Sequence, residues 1–141
     1  MIGRQLLAVL CGALTACSSF DAKWRTAKSP ATRWAGRWTS EKHTTPGGGP
    51  SGGRLRCVLE KAPTHARRAD FHANWKIFSS DYTMTLTPAN NSRTDFHGTH
   101  DLPKMFGGTY RYTAHISGDR FTARYDSSYD HGTFDLTRVR P

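Results

Sequence analysis

Residues 108–136 read GTYRYTAHISGDRFTARYDSSYDHGTFDL. Tyr110, Tyr112, Ala114 and Ile116 alternate with Arg111, Thr113 and His115. After Gly118-Asp119, Phe121, Ala123 and Tyr125 alternate with Thr122 and Arg124; beyond Ser127 to His131, Phe134 and Leu136 flank Asp135. Apolar residues at a period of two, broken by short Gly/Asp/Ser clusters, mark strands with one dry face joined by hairpins.

The same period extends upstream. Strands are expected at about 34–40, 54–61, 69–78, 81–87, 93–100, 108–116, 120–126 and 132–139. The breaks between them carry turn chemistry, including Ser79-Ser80, Pro88 to Asn91 and Pro103 to Gly107. The Gly/Pro stretch 46–53 reads as a long surface loop. No segment places apolar residues at helical spacing over helix length, so the chain is all-β.

Parity assigns one face to Trp34, Gly36, Trp38, Leu55, Cys57, Leu59, Phe71, Ala73, Trp75, Ile77, Tyr82, Met84, Leu86, Phe96 and the aromatic series above. The other face carries Arg56, Asp70, His72, Lys76, Thr83, Thr85, Arg111 and Arg124. Eight sequential antiparallel strands with one buried face close most economically into an up-and-down barrel, because closure removes the sheet edges. A two-sheet β-sandwich satisfies the same pattern and is the alternative.

The 141 residues suffice for one domain and not for two independent cores. With 4 Trp, 5 Tyr and 7 Phe the chain is too aromatic for disorder, and no apolar run reaches the length of a spanning helix. The N-terminus, MIGRQLLAVLCGALTAC, has a positive charge at Arg4, an apolar stretch from Leu6 to Leu14, and then small residues: the layout of an export signal. Leu14-Thr15-Ala16-Cys17 resembles the lipobox of bacterial lipoproteins, which implies cleavage before Cys17 and acylation of that cysteine. An ordinary secretory signal with an incidental cysteine is the other reading.

The expected organisation is therefore a signal peptide over 1–16, a lipidated Cys17 with a flexible tether over 17–33, and the barrel over 34–141. Loss of Arg4 with the leader leaves 19 Lys+Arg against 11 Asp+Glu, a balance of +8. Cys57 becomes the one cysteine left for the barrel, excluding an internal disulfide, and its Leu55-x-Cys57-x-Leu59 setting reads as a buried small hydrophobe. Lys23, Arg25, Lys28 and Arg33 in the tether either support an anionic membrane surface or merely solvate a spacer.

Gly36-Arg37-Trp38, with Arg138 in phase with Phe134 and Leu136, resembles the calycins, including the lipocalins. That likeness implies a lipocalin-like barrel in which Trp38 packs against Arg138. The run Gly107-Gly108-x-Tyr110-x-Tyr112, Gly118-Asp119-x-Phe121 and Tyr129-Asp130-His131-Gly132-Thr133-Phe134 is similar to an uncharacterised family of small exported bacterial β-barrel proteins, and carries no activity across. By the lipoprotein resemblance, Ser18 in place of an aspartate favours the outer membrane, with the protein facing the periplasm.

Catalytic chemistry has little to stand on. No nucleophile-elbow, zincin, Walker or dinucleotide motif occurs. His97 and His100 fall on opposite strand faces, so no metal site is expected. Asp126, Ser127, Ser128, Asp130 and His131 hold the residue types of a hydrolytic site at the barrel mouth, but in one tight turn, where Asp130 more simply bonds the turn backbone. Interleaved arginines and aromatics do not make a nucleic-acid platform when parity puts them on opposite faces.

The expectation is a non-enzymatic, lipid-anchored envelope protein with no cofactor, binding a small amphipathic ligand or an anionic envelope partner. Trp38, Cys57, Trp75, Tyr82, Tyr112, Tyr125 and Arg138 are its pocket or core residues. A hydrolase using His131 is the alternative.

Overall fold

The computed structural model describes residues 19–141, apart from the side chain of Phe106. The expected leader and Cys17 lie outside the described residues. The chain forms β1 (Thr32–Thr44), β2 (Pro50–Lys61), β3 (Arg67–Trp75), β4 (Phe78–Pro88), β5 (Asp95–Asp101), β6 (Thr109–Ser117), β7 (Arg120–Asp126) and β8 (His131–Val139). Each strand pairs antiparallel with the next, and β8 pairs with β1 to close the barrel. Up-and-down closure therefore prevails over the sandwich. No helix among the described residues is long and apolar enough to cross a membrane.

The two ends of the barrel differ in chemistry. At one end, the base, the connections are 62–66, 89–94 and 118–119. At the other, the mouth, they are 45–49, 76–77, 102–108 and 127–130. The interior is layered accordingly. Trp34, Leu59, Leu86, Phe121 and Leu136 pack the base, and Trp34 meets Phe121 edge-on at 5.8 Å. Phe71 is the mid-level plug, with ring centroids 5.1, 5.6 and 6.2 Å from Tyr82, Phe134 and Phe121. Above it the inward residues turn phenolic.

Several expectations are corrected by register. The turn between the third and fourth strands falls at Lys76-Ile77, not Ser79-Ser80, because pairing Phe71 with Tyr82 and Ala69 with Met84 keeps the apolar faces together and brings Trp75 opposite Phe78. Trp75 and Ile77 thus leave the core for the rim, Ile77 being 92% exposed. The stretch 46–53 is not one loop. Pairing resumes at Pro50, and Gly52 and Gly53 belong to β2. A Cβ on Gly53 would sit 1.6 Å from Asn74 O and 3.0 Å from Trp38 Nε1, so this glycine makes room for the Trp38 ring, which crosses β2 and donates to Asn74 O at 2.9 Å.

The expected Trp38–Arg138 contact does not form. Register sets Arg138 opposite Trp34 near the base, whereas Trp38 faces Phe134 four strand residues, about 13 Å, nearer the mouth. Parity fixes which face a residue takes but not its level along the barrel.

Residues 18–33 were expected to hold no folded element, yet 19–26 form a helix, α1, lying on the outer face of β2 and β3. Phe20 is buried and stacks on His72 at 5.2 Å. The Arg56 guanidinium lies over both Phe20 and Trp24, at 5.1 and 5.3 Å, and bonds Asp21 at 3.1 Å. Lys23 reaches Asp70 at 2.9 Å. His72, expected on the surface, is therefore covered and bonds Asp81. Burial alone would push the Asp70 carboxyl up. Hydrogen bonds from Thr83 and Lys23, with the charges of Lys23 and Arg68, offset it and hold the group below its ordinary value.

Candidate functional site

Above Phe71 and Phe134 the barrel opens into a cavity of about 800 Å³ at the mouth. Its wall is aromatic and hydroxylated: Trp38 from β1, Tyr82 from β4, Tyr110 and Tyr112 from β6, and Tyr125 from β7. Ser51, Thr44, Thr45, Ser79, Ser80, Lys76, His43 and His100 ring its upper part. Alternation produces this wall directly, because Tyr110, Tyr112 and Tyr125 share the inward parity and register puts Tyr112 opposite Tyr125. Their rings form a tilted cluster, with Tyr110, Tyr112 and Tyr125 centroids 6.2 to 6.5 Å apart.

Burial pushes the Tyr82, Tyr112 and Tyr125 phenols well above their ordinary value. They stay neutral hydroxyls, able to donate and accept, across the physiological range. Neutral hydroxyls on an apolar wall suit a ligand with scattered polar atoms better than one with a buried charge.

A polar tie holds the inner lip. Tyr125 Oη donates to Asp130 Oδ2 at 3.0 Å, and Thr39 O lies 3.3 Å from the same hydroxyl. Asp130 Oδ1 accepts from Ser40 Oγ at 2.6 Å and from the His131 amide at 2.8 Å. The bond to the His131 amide is the service to its own turn expected of Asp130, and Ser127 shares that task, its Oγ accepting from the Tyr129 and Asp130 amides. Near this lip, His43 Nε2 is buried without a hydrogen-bond partner among the described residues, its ring 5.0 Å from that of Tyr129.

The wall has one weak joint. β4 and β5 pair only at Thr87–His97 and Pro88–Phe96, close to the base. Nearer the mouth they are bridged by side chains, with the Tyr82 and His100 rings 5.0 Å apart.

Of the residues singled out from sequence, Trp38, Tyr82, Tyr112 and Tyr125 converge on the cavity, and Trp75 stands at its rim. Cys57 is fully buried in the core, where desolvation pushes its thiol well up. Arg138 is at the far end. Tyr110, His100 and Ser40 belong to the site and were not singled out as pocket residues, although parity places them inward; Asp130, named from sequence only as part of the hydrolytic cluster, belongs to it as well. His131 does not line the cavity. Its Nδ1 meets Glu41 Oε2 at 3.2 Å on the outer surface, beside Arg124. The serines of its turn are engaged elsewhere, Ser128 Oγ donating to Gly107 O and Ser127 Oγ to Asp130 O. Among the described residues no three His, Cys, Asp or Glu side chains gather as a metal site.

Comparison of the chain with protein-family models, with curated proteins and with solved structures finds no match.

Proposed function

We propose that this protein is a lipid-anchored binding protein of the bacterial envelope whose barrel takes a small amphipathic molecule through its mouth. The observation that carries the reading is the open, phenol-lined cavity of about 800 Å³, within the range of small-molecule sites. Eight-stranded barrels have little interior to spare. Here the base is packed while the mouth is not. The apolar part of the ligand lies against Trp38, Phe134 and the tyrosines, and its polar head sits among Ser51, Ser79, Ser80 and His43 near Lys76. The anchor rests on Leu14-Thr15-Ala16-Cys17 behind an apolar leader, and Ser18 favours the outer membrane.

Titration of the purified full-length gene product with N-phenyl-1-naphthylamine, followed by displacement with unlabelled fatty acids, tests the cavity. Saturable fluorescence is expected in wild type and its loss in Ala73→Phe, which fills the wall. An Ala73→Phe protein that melts like wild type and binds the probe equally overturns the reading. Labelled palmitate entering wild type but not Cys17→Ala supports the anchor, and no label in wild type overturns it.

A further inference from the structure

Every connection at the base is polar or small: Ala62 to Ala66, Ala89 to Thr94 and Gly118-Asp119. The mouth is the reverse. The exposed large apolar side chains among the described residues are Trp75, Ile77, Phe78, Leu102, Met105 and Tyr129, and all stand on or beside the mouth turns. Ile77 and Met105 are 92% and 76% exposed, and Trp75 stacks on Phe78 at 6.3 Å. Clustering at one end, with none at the other, is not the scatter of a solvated surface.

Charge narrows the partner. The turn tips carry Lys76 and Lys104, and the one acid within the turns, Asp130, is buried under the lip; the exposed Asp101 and Asp126 stand at the strand ends below the tips. A second copy set mouth to mouth would confront lysines with lysines. A surface that is apolar a few ångströms down and anionic on top meets both features. That is a phospholipid bilayer with acidic headgroups, where tryptophan and lysine sit at the boundary.

The direction of α1 agrees. The helix begins beside His72 and runs towards the base, its Phe20 on His72 and its Lys23 on Asp70. His72 is three residues from Trp75, about 10 Å along the strand. Cys17 precedes Phe20 by three residues, a reach of about 10 Å at full extension. A lipid on Cys17 therefore reaches the plane of the apolar rim.

We infer that the barrel docks mouth-down on an anionic bilayer, its turn tips Lys76-Ile77 and Lys104-Met105 in the interface, so that the cavity opens onto lipid. The geometry rests on the reading of Cys17 as the anchored residue, whereas the choice of partner rests on the rim alone.

The test uses the full-length gene product reconstituted into phosphatidylcholine and phosphatidylglycerol vesicles with brominated acyl chains. Subtracting the emission of Trp75→Phe from wild type isolates the Trp75 signal. Strong quenching is expected, lost in Ile77→Asp/Met105→Asp and reduced in Lys76→Glu/Lys104→Glu, while all variants melt like wild type. Vesicle-bound protein with an unquenched Trp75 overturns the docking and leaves the anchor standing. Equal quenching in wild type and Ile77→Asp/Met105→Asp overturns it as well. A Trp75 signal that depends on protein concentration without lipid identifies a second copy on the rim and also overturns it. Palmitate labelling reads the anchor separately, so failure of one is told from failure of the other.

Discussion

Tyr125 and Ser40 are joined through one carboxylate: the phenol of β7 and the hydroxyl of β1 donate to the two oxygens of Asp130, at 3.0 and 2.6 Å. The tie spans the intervening β8, and it passes over Gly132, where a Cβ would lie 1.9 Å from Thr39 O and 2.6 Å from Tyr125 Oη. Two strands that are not neighbours in the ring are thereby fastened across a residue with no side chain.

Tyr125→Phe should cost about 1–3 kcal/mol in denaturant unfolding, the penalty of a buried acceptor left short of a donor. Retention of wild-type stability would show that water takes the place of the phenol without loss.

Gly132→Ala should destabilise by about 1–3 kcal/mol, because the methyl forces backbone apart at the β1–β8 joint. The double variant with Tyr125→Phe should lose less than the sum, since both changes break the same tie. A strictly additive cycle contradicts the shared tie.

Acid should unfasten α1. The Asp70 carboxyl is held below its ordinary value of 3.8, so the unfolded chain binds its proton first as pH falls. Its stabilisation is present above that value and is lost as pH drops through the folded one. Asp70→Asn should flatten the acid limb of the stability profile, and Phe20→Ala should raise the exposure of His72 to solvent. Thermal melts across the acid range, with hydrogen exchange over β3, measure both.

Alkali should loosen the mouth. Tyr82, Tyr112 and Tyr125 have folded values raised above their ordinary 10.0, so unfolding releases protons once the pH exceeds that point. Their contribution is intact below pH 10.0 and falls as pH rises beyond it. Phenolate absorbance of these three should appear together with loss of near-ultraviolet circular dichroism. Independent titration of all five tyrosines in a folded protein would contradict the burial.

Cys57 should resist thiol reagents in the native protein and react on unfolding, because its sulfur is both covered and held protonated.

The barrel was legible in the sequence because a single dry face at period two is a property of each strand alone. Phe71, Tyr82, Tyr112 and Tyr125 fall on that face whatever the register. Levels along the barrel are different. The Lys76-Ile77 turn and the pairing of Arg138 with Trp34 follow from how whole strands align, and the stronger turn composition of Ser79-Ser80 pointed elsewhere. α1 escaped notice because only Phe20 and Trp24, four apart, mark its buried side, and two residues do not make a period. His72 and Asp70 owe their burial to that helix, so parity assigned them to water. The Asp130 tie was hidden for a similar reason, since it joins residues 90 apart in sequence.

The scant pairing between β4 and β5 sets how the ring responds to load. Seven joints are laced along much of their length, and the eighth is pinned near the base by two residue pairs. Such a ring is stiff below and compliant above, like a rolled sleeve stitched only at its hem. Spreading the mouth sacrifices few backbone hydrogen bonds, because ladder pairing between β4 and β5 stops at Thr87–His97 and nearer the mouth Tyr82 and His100 meet by ring contact. The bore at the top is thus an adjustable dimension, while the packed hem keeps the strand order and the register unchanged.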